Sequence, residues 1–211
     1  MKKAIILAAV AALMVCSCGT IGKSASQSSP KASTLGVEIA KSPAQLKAED
    51  INATTLRAWA SYNGLPTSRP ASYAAVAARG ELANSITALV ENANTLYAEQ
   101  YGQESLSAGE IQKRMSANTS AKNKLNQVAK ELVQYSPVIE TNEYLQSDGT
   151  VTAYVCVELH PDRILEAVRK NSSYIEAVNK DQQAYIDFKS EKYSESMQGA
   201  FEDLKKAKNN E

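Results

Sequence analysis

The chain has 211 residues, with 23 Lys plus Arg balanced by 23 Asp plus Glu. Setting aside Lys2 and Lys3 of a leader leaves 21 basic against 23 acidic residues, a net charge of minus two. A nucleic-acid binder needs a basic face over the phosphates, so that class is excluded. Once leader and tether are removed, about 170 residues remain, which suits one domain with a single core and is too short for two.

Lys2 and Lys3 precede an apolar run from Ala4 to Val15. This is the charged and then hydrophobic pattern of a secretory signal peptide, too short to span a bilayer. Val15-Cys16-Ser17-Cys18 follows and resembles a lipobox. In that pattern an aliphatic residue stands three positions before the modified Cys and a small residue directly before it. Cys18 fits, with Val15 and Ser17 in those places, whereas Cys16 would have the bulky Val15 directly before it. The resemblance implies a diacylglyceryl thioether on Cys18 and, in a gram-negative bacterium, a further acyl chain of the palmitate kind on its amine. At about 0.8 kcal/mol per buried methylene, two or more chains hold a protein stably on a membrane.

Gly19 to Thr34 is rich in Ser, Ala, Gly and Lys and has no apolar period. It reads as a flexible tether, reaching roughly 20–25 Å as a coil of about 16 residues. No acidic residue follows Cys18 until Glu38. Both the acidic run that resembles a Bacteroides-type surface-export signal and the Asp that resembles an inner-membrane retention signal are therefore missing. The expected address is the periplasmic leaflet of the outer membrane. The expected organisation is a lipoprotein signal peptide over 1–17, anchor and tether over 18–34, and a single α+β domain over 35–207.

Val37 to Ala40 is a short extended candidate, ended by Ser42-Pro43. Thr54 to Tyr62 places Leu56, Ala58, Ala60 and Tyr62 on alternate positions and predicts a strand. Pro70 to Tyr101 then carries Ala75, Ala78, Leu82, Ile86, Leu89, Ala93 and Leu96 at steps of three and four, the stripe of a long helix. Gly102 is placed to end it. In Leu106-Ser107-Ala108-Gly109-Glu110-Ile111 a capping box coincides with a hydrophobic staple, so a second helix starts there. Its polar stretch Ser116 to Lys124 allows a break near Asn118 before the stripe resumes at Leu125, Val128 and Leu132.

A hairpin of Val138 to Leu145 and Val151 to Leu159 follows. A three-residue Ser147-Asp148-Gly149 loop, with Gly149 left-handed, aligns Ile139, Leu145, Val151, Ala153, Val155 and Val157 on one face and turns Tyr154 and Cys156 the other way. His160-Pro161-Asp162 opens a further helix with Ile164, Leu165 and Val168 inward, interrupted at Asn171-Ser172-Ser173. Asp181 to Ala207 carries Ile186, Tyr193, Met197, Phe201 and Leu204 as a last amphipathic helix. The fold class expected is α+β: one strand plus a hairpin in a small antiparallel sheet packed against long helices, with an extended C-terminal helix.

The strand Leu56-Arg57-Ala58-Trp59-Ala60, the helix segment Ala78-Arg79-Gly80-Glu81-Leu82-Ala83 and the hairpin Ser147 to Val155 stand in an order that resembles the LPP-twenty family of bacterial outer-membrane lipoproteins. That family is related to the amino-terminal domain of a flagellar assembly protein T. The resemblance covers roughly 54–168 and implies a strand, helix, hairpin, helix domain without a catalytic site. The chain departs from it in the polar Ser116 to Lys124 stretch and the extended C-terminal helix.

Enzymes need a nucleophile with a base, paired carboxylates or a metal constellation. His160 is the only His, which precludes a two-His metal site, and Cys156 is the only Cys of the domain beyond the anchor. Cys156 reads as a small strand residue, and Glu140, Glu143 and Glu158 as solvated sheet charges. No cofactor or metal is expected. The ten Tyr against two Phe fit half-buried positions with the hydroxyl in water. The expected function is non-enzymatic: a domain held to the membrane through Cys18 that offers a surface to an envelope protein or to its own copies. Tyr185, Ile186, Tyr193, Met197 and Phe201 are the candidate surface, unless that stripe packs into the domain's own core. The alternative is a module binding a sugar or lipid between helices and sheet.

Overall fold

The computed structural model describes residues 41–101, 119–182 and 186–209. Six α-helices and a three-stranded sheet occur among them: α1 (Pro43–Ala48), β1 (Leu56–Gly64), α2 (Pro70–Tyr101), α3 (Thr119–Val133), β2 (Val138–Leu145), β3 (Val151–Leu159), α4 (Pro161–Lys170), α5 (Ser172–Gln182) and α6 (Glu191–Asn209). The architecture is the expected α+β. The candidates Val37 to Ala40, Gly102 and the Ser107 capping box lie outside the described residues.

The sheet is antiparallel with order β1-β3-β2, so the hairpin's second strand is central and β1 and β2 are its edges. One face, the inner, lies under α2. There Ala78, Leu82, Ile86, Leu89 and Ala93 pack with Leu56, Ala58, Ala153, Val155 and Val157 in one cluster. The small residues of the first half of α2 let the helix lie close on the strands, and α3 and α6 then close over its second half. Gly80 is exposed on α2, and a Cβ there would meet nothing within 4 Å.

The hairpin has the expected three-residue loop. Gln146 N donates to Thr150 O at 2.8 Å, Gly149 N donates to Gln146 O at 3.0 Å, and Gly149 is left-handed with φ 83. Val155 and Val157 face inward together. The alignment fails at one residue: between Val138 and Glu140 the pairing with β3 shifts. Ile139 is the extra residue of that bulge and turns outward, where it packs with Cys156, Ala44 and Ala48. A bulge inverts the alternation for one residue, which no period-two reading foresees.

The outer face is half covered by α1, where Ser42-Pro43 predicts only the end of an extended segment. Its signal was nonetheless present as Ser42-x-x-Gln45: Ser42 Oγ accepts from Gln45 N while Gln45 Oε1 accepts from Ser42 N, a complete capping box, with Pro43 in the first turn.

The expected single helix from Asp181 to Ala207 is a second correction. Asp181 belongs to the end of α5, Ile186 to Ser190 are not helical, and α6 begins at Glu191. Arg169, on α4, explains the break. Its guanidinium donates to Phe188 O at 2.6 Å, Ser190 O at 3.1 Å and Ser194 Oγ at 2.6 Å, so main-chain acceptors that a helix would use internally are taken by a charged donor instead.

Candidate functional site

The C-terminal stripe is not a surface. Ile186, Tyr193, Met197 and Phe201 are all buried, and they join the main core with Leu204. Tyr185 lies outside the described residues. The candidate patch is thereby overturned for those four residues. Tyr193 packs edge-on against Tyr97 and Phe188, and its hydroxyl donates to Asn94 Oδ1 at 2.8 Å. Asn94 Nδ2 in turn donates to Tyr174 Oη at 2.8 Å. Burial pushes both tyrosine hydroxyls well above their ordinary pKa, opposed at Tyr174 by the Asn94 hydrogen bond. This chain of three is satisfied within the protein and locks α2, α5 and α6 together.

The layer between α2 and the sheet is likewise filled by side chains. Two concavities border other elements. One is small and lies between the end of α1 and α6, lined by Asp50, Arg57, Phe201 and Lys205 among others. The second is a shallow depression beside Arg169, Lys170 and Lys189. The first has Leu56 and Arg57 of β1 on one side and Phe201 and Leu204 of α6 on the other, so it lies at a sheet–helix edge, whereas the second is lined by α4 and Lys189 alone.

Other residues singled out by the sequence take structural places. Cys156 is buried beneath α1. His160 caps α4: its Nδ1 accepts from Asp162 N at 3.3 Å, beside the Asp162 carboxylate at 3.2 Å. The three hairpin glutamates are not equivalent. Glu158 is paired, accepting from Arg57 Nε at 3.1 Å and Thr55 Oγ1 at 2.7 Å, so it is not simply a solvated charge. Glu140 accepts from Asn142 Nδ2 at 3.1 Å. Glu143 is exposed on the inner face and makes no ion pair among the described residues. No group of three or more His, Cys, Asp or Glu able to hold a metal occurs among the described residues.

Among the described residues, the margin formed by β2 is the least covered part of the sheet. Helix α2 covers β1 and β3 but stops short of β2. Val138 is 43% and Leu145 75% exposed on the inner face, at the two ends of the strand, and Tyr135 is 83% exposed just before it. Arg79 reaches from α2 to that margin, where its Nη2 donates to Ser136 O at 3.2 Å. Its Nε is buried without a hydrogen-bond partner, and no carboxylate pairs with it among the described residues.

The rest of the outer face differs in character, beginning with Trp59 and Tyr154, which are partly buried against the α1 cluster. Trp59, Tyr154 and Tyr144 form a row across the three strands, with ring centroids 6.3 Å and 5.8 Å apart. Beside it, Thr152 Oγ1 accepts from Asn63 Nδ2 and from Gln146 Nε2, each at 3.0 Å. The period-two pattern put Trp59 and Tyr154 on this face, but only the β3-centred strand order makes the three rings neighbours.

Comparison with family models, with curated proteins and with solved structures finds no match. Among the described residues, no helix is long and apolar enough to cross a membrane.

Proposed function

We propose that this is a lipid-anchored protein of the outer membrane, facing the periplasm, whose α+β domain acts without catalysis by offering the β2 margin to an envelope assembly. The observation that carries the address is the Lys2-Lys3 leader ending in Val15-Cys16-Ser17-Cys18. The LPP-twenty resemblance belongs to the same reading. The non-catalytic role is supported by the places of Cys156 and His160, one sealed under α1 and the other occupied in capping a helix. The surface is supported by β2 itself, an edge strand whose inner face the described helices scarcely cover although it carries Val138 and Leu145. Metabolic acyl labelling in a gram-negative host tests the anchor. Cys18→Ser should abolish labelling and release the protein from membranes, while Cys16→Ser should leave both unchanged; labelling that follows Cys16 overturns the assignment.

The aromatic row favours a second reading, binding of a neutral sugar at its exposed Tyr144 end, since an aromatic ring flanked by amides and hydroxyls suits the apolar face and rim of a pyranose. Trp59 is the only Trp, so its fluorescence reports directly. Titration with soluble peptidoglycan fragments should quench or shift that emission if the row binds sugar, and an unchanged spectrum removes this reading.

A further inference from the structure

We infer that the end of the domain formed by the hairpin loop and the β1–α2 turn lies against the lipid interface of the membrane that holds Cys18; this rests on the anchor reading above and adds an orientation to it. Charge singles this end out. In a chain whose residues are 22% charged, Arg69 is the only charge from Ala58 to Ala78 and Asp148 the only one from Tyr144 to Val157. The pairing of Gly64 and Leu145 with Val151 brings these two stretches, far apart in sequence, to one end of the sheet. Toward the other end stand Asp50, Arg57, Glu158 and Lys205. The domain therefore has a charged pole and a nearly neutral one.

Apolar side chains stand in solvent at the neutral pole. Leu65 is 62% and Val76 66% exposed, and Tyr62 and Tyr73 are exposed at the same end. The two tyrosine rings stack with centroids 4.9 Å apart, and Val76 follows Tyr73 by three residues on one face of α2. A Cβ on Gly64 would stand 2.9 Å from the Tyr62 ring, so glycine lets the turn close on that ring. Leu65 O accepts from Ser68 Oγ at 2.6 Å and from Ser68 N at 2.9 Å. The carbonyl beside the exposed leucine thus already has the partners that lipid would not supply. Tyrosine, an apolar ring with a polar tip, is a residue that settles at the level of lipid headgroups. Arg69 and Asp148 are of opposite sign, which suits zwitterionic headgroups.

The entry of the chain favours lipid over a second copy or another protein. Ala44 N donates to Asn142 Oδ1 at 2.9 Å, and Lys47 O accepts from Arg57 Nη1 at 3.1 Å. Asn142 stands opposite Tyr154 and Arg57 opposite Glu158, so α1 starts nearer the hairpin loop and runs toward the charged pole. The chain that leads back to Cys18 joins α1 on the neutral side. A tether with a reach of roughly 20–25 Å brings that end to the bilayer before the other.

The test uses the full-length lipidated protein reconstituted in vesicles of phosphatidylethanolamine and phosphatidylglycerol, with part of the lipid brominated in its acyl chains. In a Trp59→Phe background, Leu65→Trp puts a single Trp at the neutral pole, and Tyr135→Trp, exposed just before β2 at the other end of the sheet, is the control. Brominated lipid should quench Leu65→Trp by about twofold or more and leave Tyr135→Trp unchanged. Adding Val76→Glu, at an exposed position, should abolish most of that quenching while the circular dichroism spectrum stays the same. Quenching at both sites, at neither, or at Tyr135→Trp alone overturns the orientation, as does quenching that Val76→Glu leaves intact. Leu65→Trp emission shielded from aqueous iodide in the unanchored Cys18→Ser protein, with no membrane present, shows that the chain itself covers this end. Emission that follows protein density rather than bromine puts a second copy there; either result overturns the proposal. Protein that does not float with the vesicles overturns the anchor and this orientation with it, whereas protein that floats without quenching overturns the orientation alone.

Discussion

β1 and β2 flank the same central strand, yet Leu56 and Ala58 of β1 are 4% and 7% exposed whereas Val138 and Leu145 of β2 stand largely in solvent. Composition does not separate them, since both carry apolar residues facing α2. Coverage does: among the described residues α2 runs over β1 and β3 and only touches β2, while α1 takes part of the outer face. An apolar side chain gains its transfer energy only when something removes it from water. A strand's contribution to stability is therefore set by its neighbours rather than by its own pattern.

That contrast can be broken at several points, beginning with the covered side. Leu82→Ala and Leu89→Ala should each cost about 2–5 kcal/mol in urea unfolding, as truncations beneath α2. Val157→Ala, at the centre of the sheet, should cost about 1–3 kcal/mol by the same measurement. If any of the three leaves the midpoint unmoved, the covered side is not where the stability lies.

The helical layer that closes α2 can be probed by pH. Tyr174 and Tyr193 keep their protons in the folded state above the ordinary tyrosine range, so the unfolded chain ionises first. Their contribution is intact below about pH 10 and lost progressively as pH rises beyond it. Thermal melts should fall steeply above that point. Tyr193→Phe, which leaves Asn94 Oδ1 without its donor, should lower neutral-pH stability by about 1–3 kcal/mol and flatten the alkaline decline. An unchanged alkaline slope would exclude this hydroxyl as its source.

Smaller effects sharpen the contrast on the β2 side. Gly149→Ala forces a left-handed backbone onto an L side chain and should destabilise by about 1–2 kcal/mol, whereas Gly80→Ala, exposed on α2 with open space around it, should stabilise by about 0.5–1 kcal/mol. The turn of the hairpin thus matters to the fold even though β2's side chains scarcely do. Leu145→Ala should change stability by about 0.5 kcal/mol or less; a larger loss would mean the margin is covered from within the chain.

Where local chemistry was sufficient, the sequence was legible. The stripe of Leu82, Ile86 and Leu89 gave α2 its bounds, Ser147-Asp148-Gly149 gave the loop its length, and His160-Pro161 marked the start of α4. Ser42-x-x-Gln45 marked α1 just as clearly and was missed, because a helix of six residues has too little periodicity to announce itself beside a proline.

The reading of the C-terminal stripe shows where that legibility stops. Tyr193, Met197 and Phe201 have the spacing of a helix face, and spacing establishes that the face is apolar without saying what will lie on it. The sequence by itself determined the class of the fold, the long central helix and the hairpin loop, because each depends on residues close together in the chain. Only the tertiary structure decided that Arg169 would break the last helix at Phe188 and Ser190, that the Tyr193 stripe would be buried, and that the described helices would scarcely cover β2. Those outcomes depend on groups tens of residues apart reaching one place, and on a single helix being wide enough to cover two strands and not three.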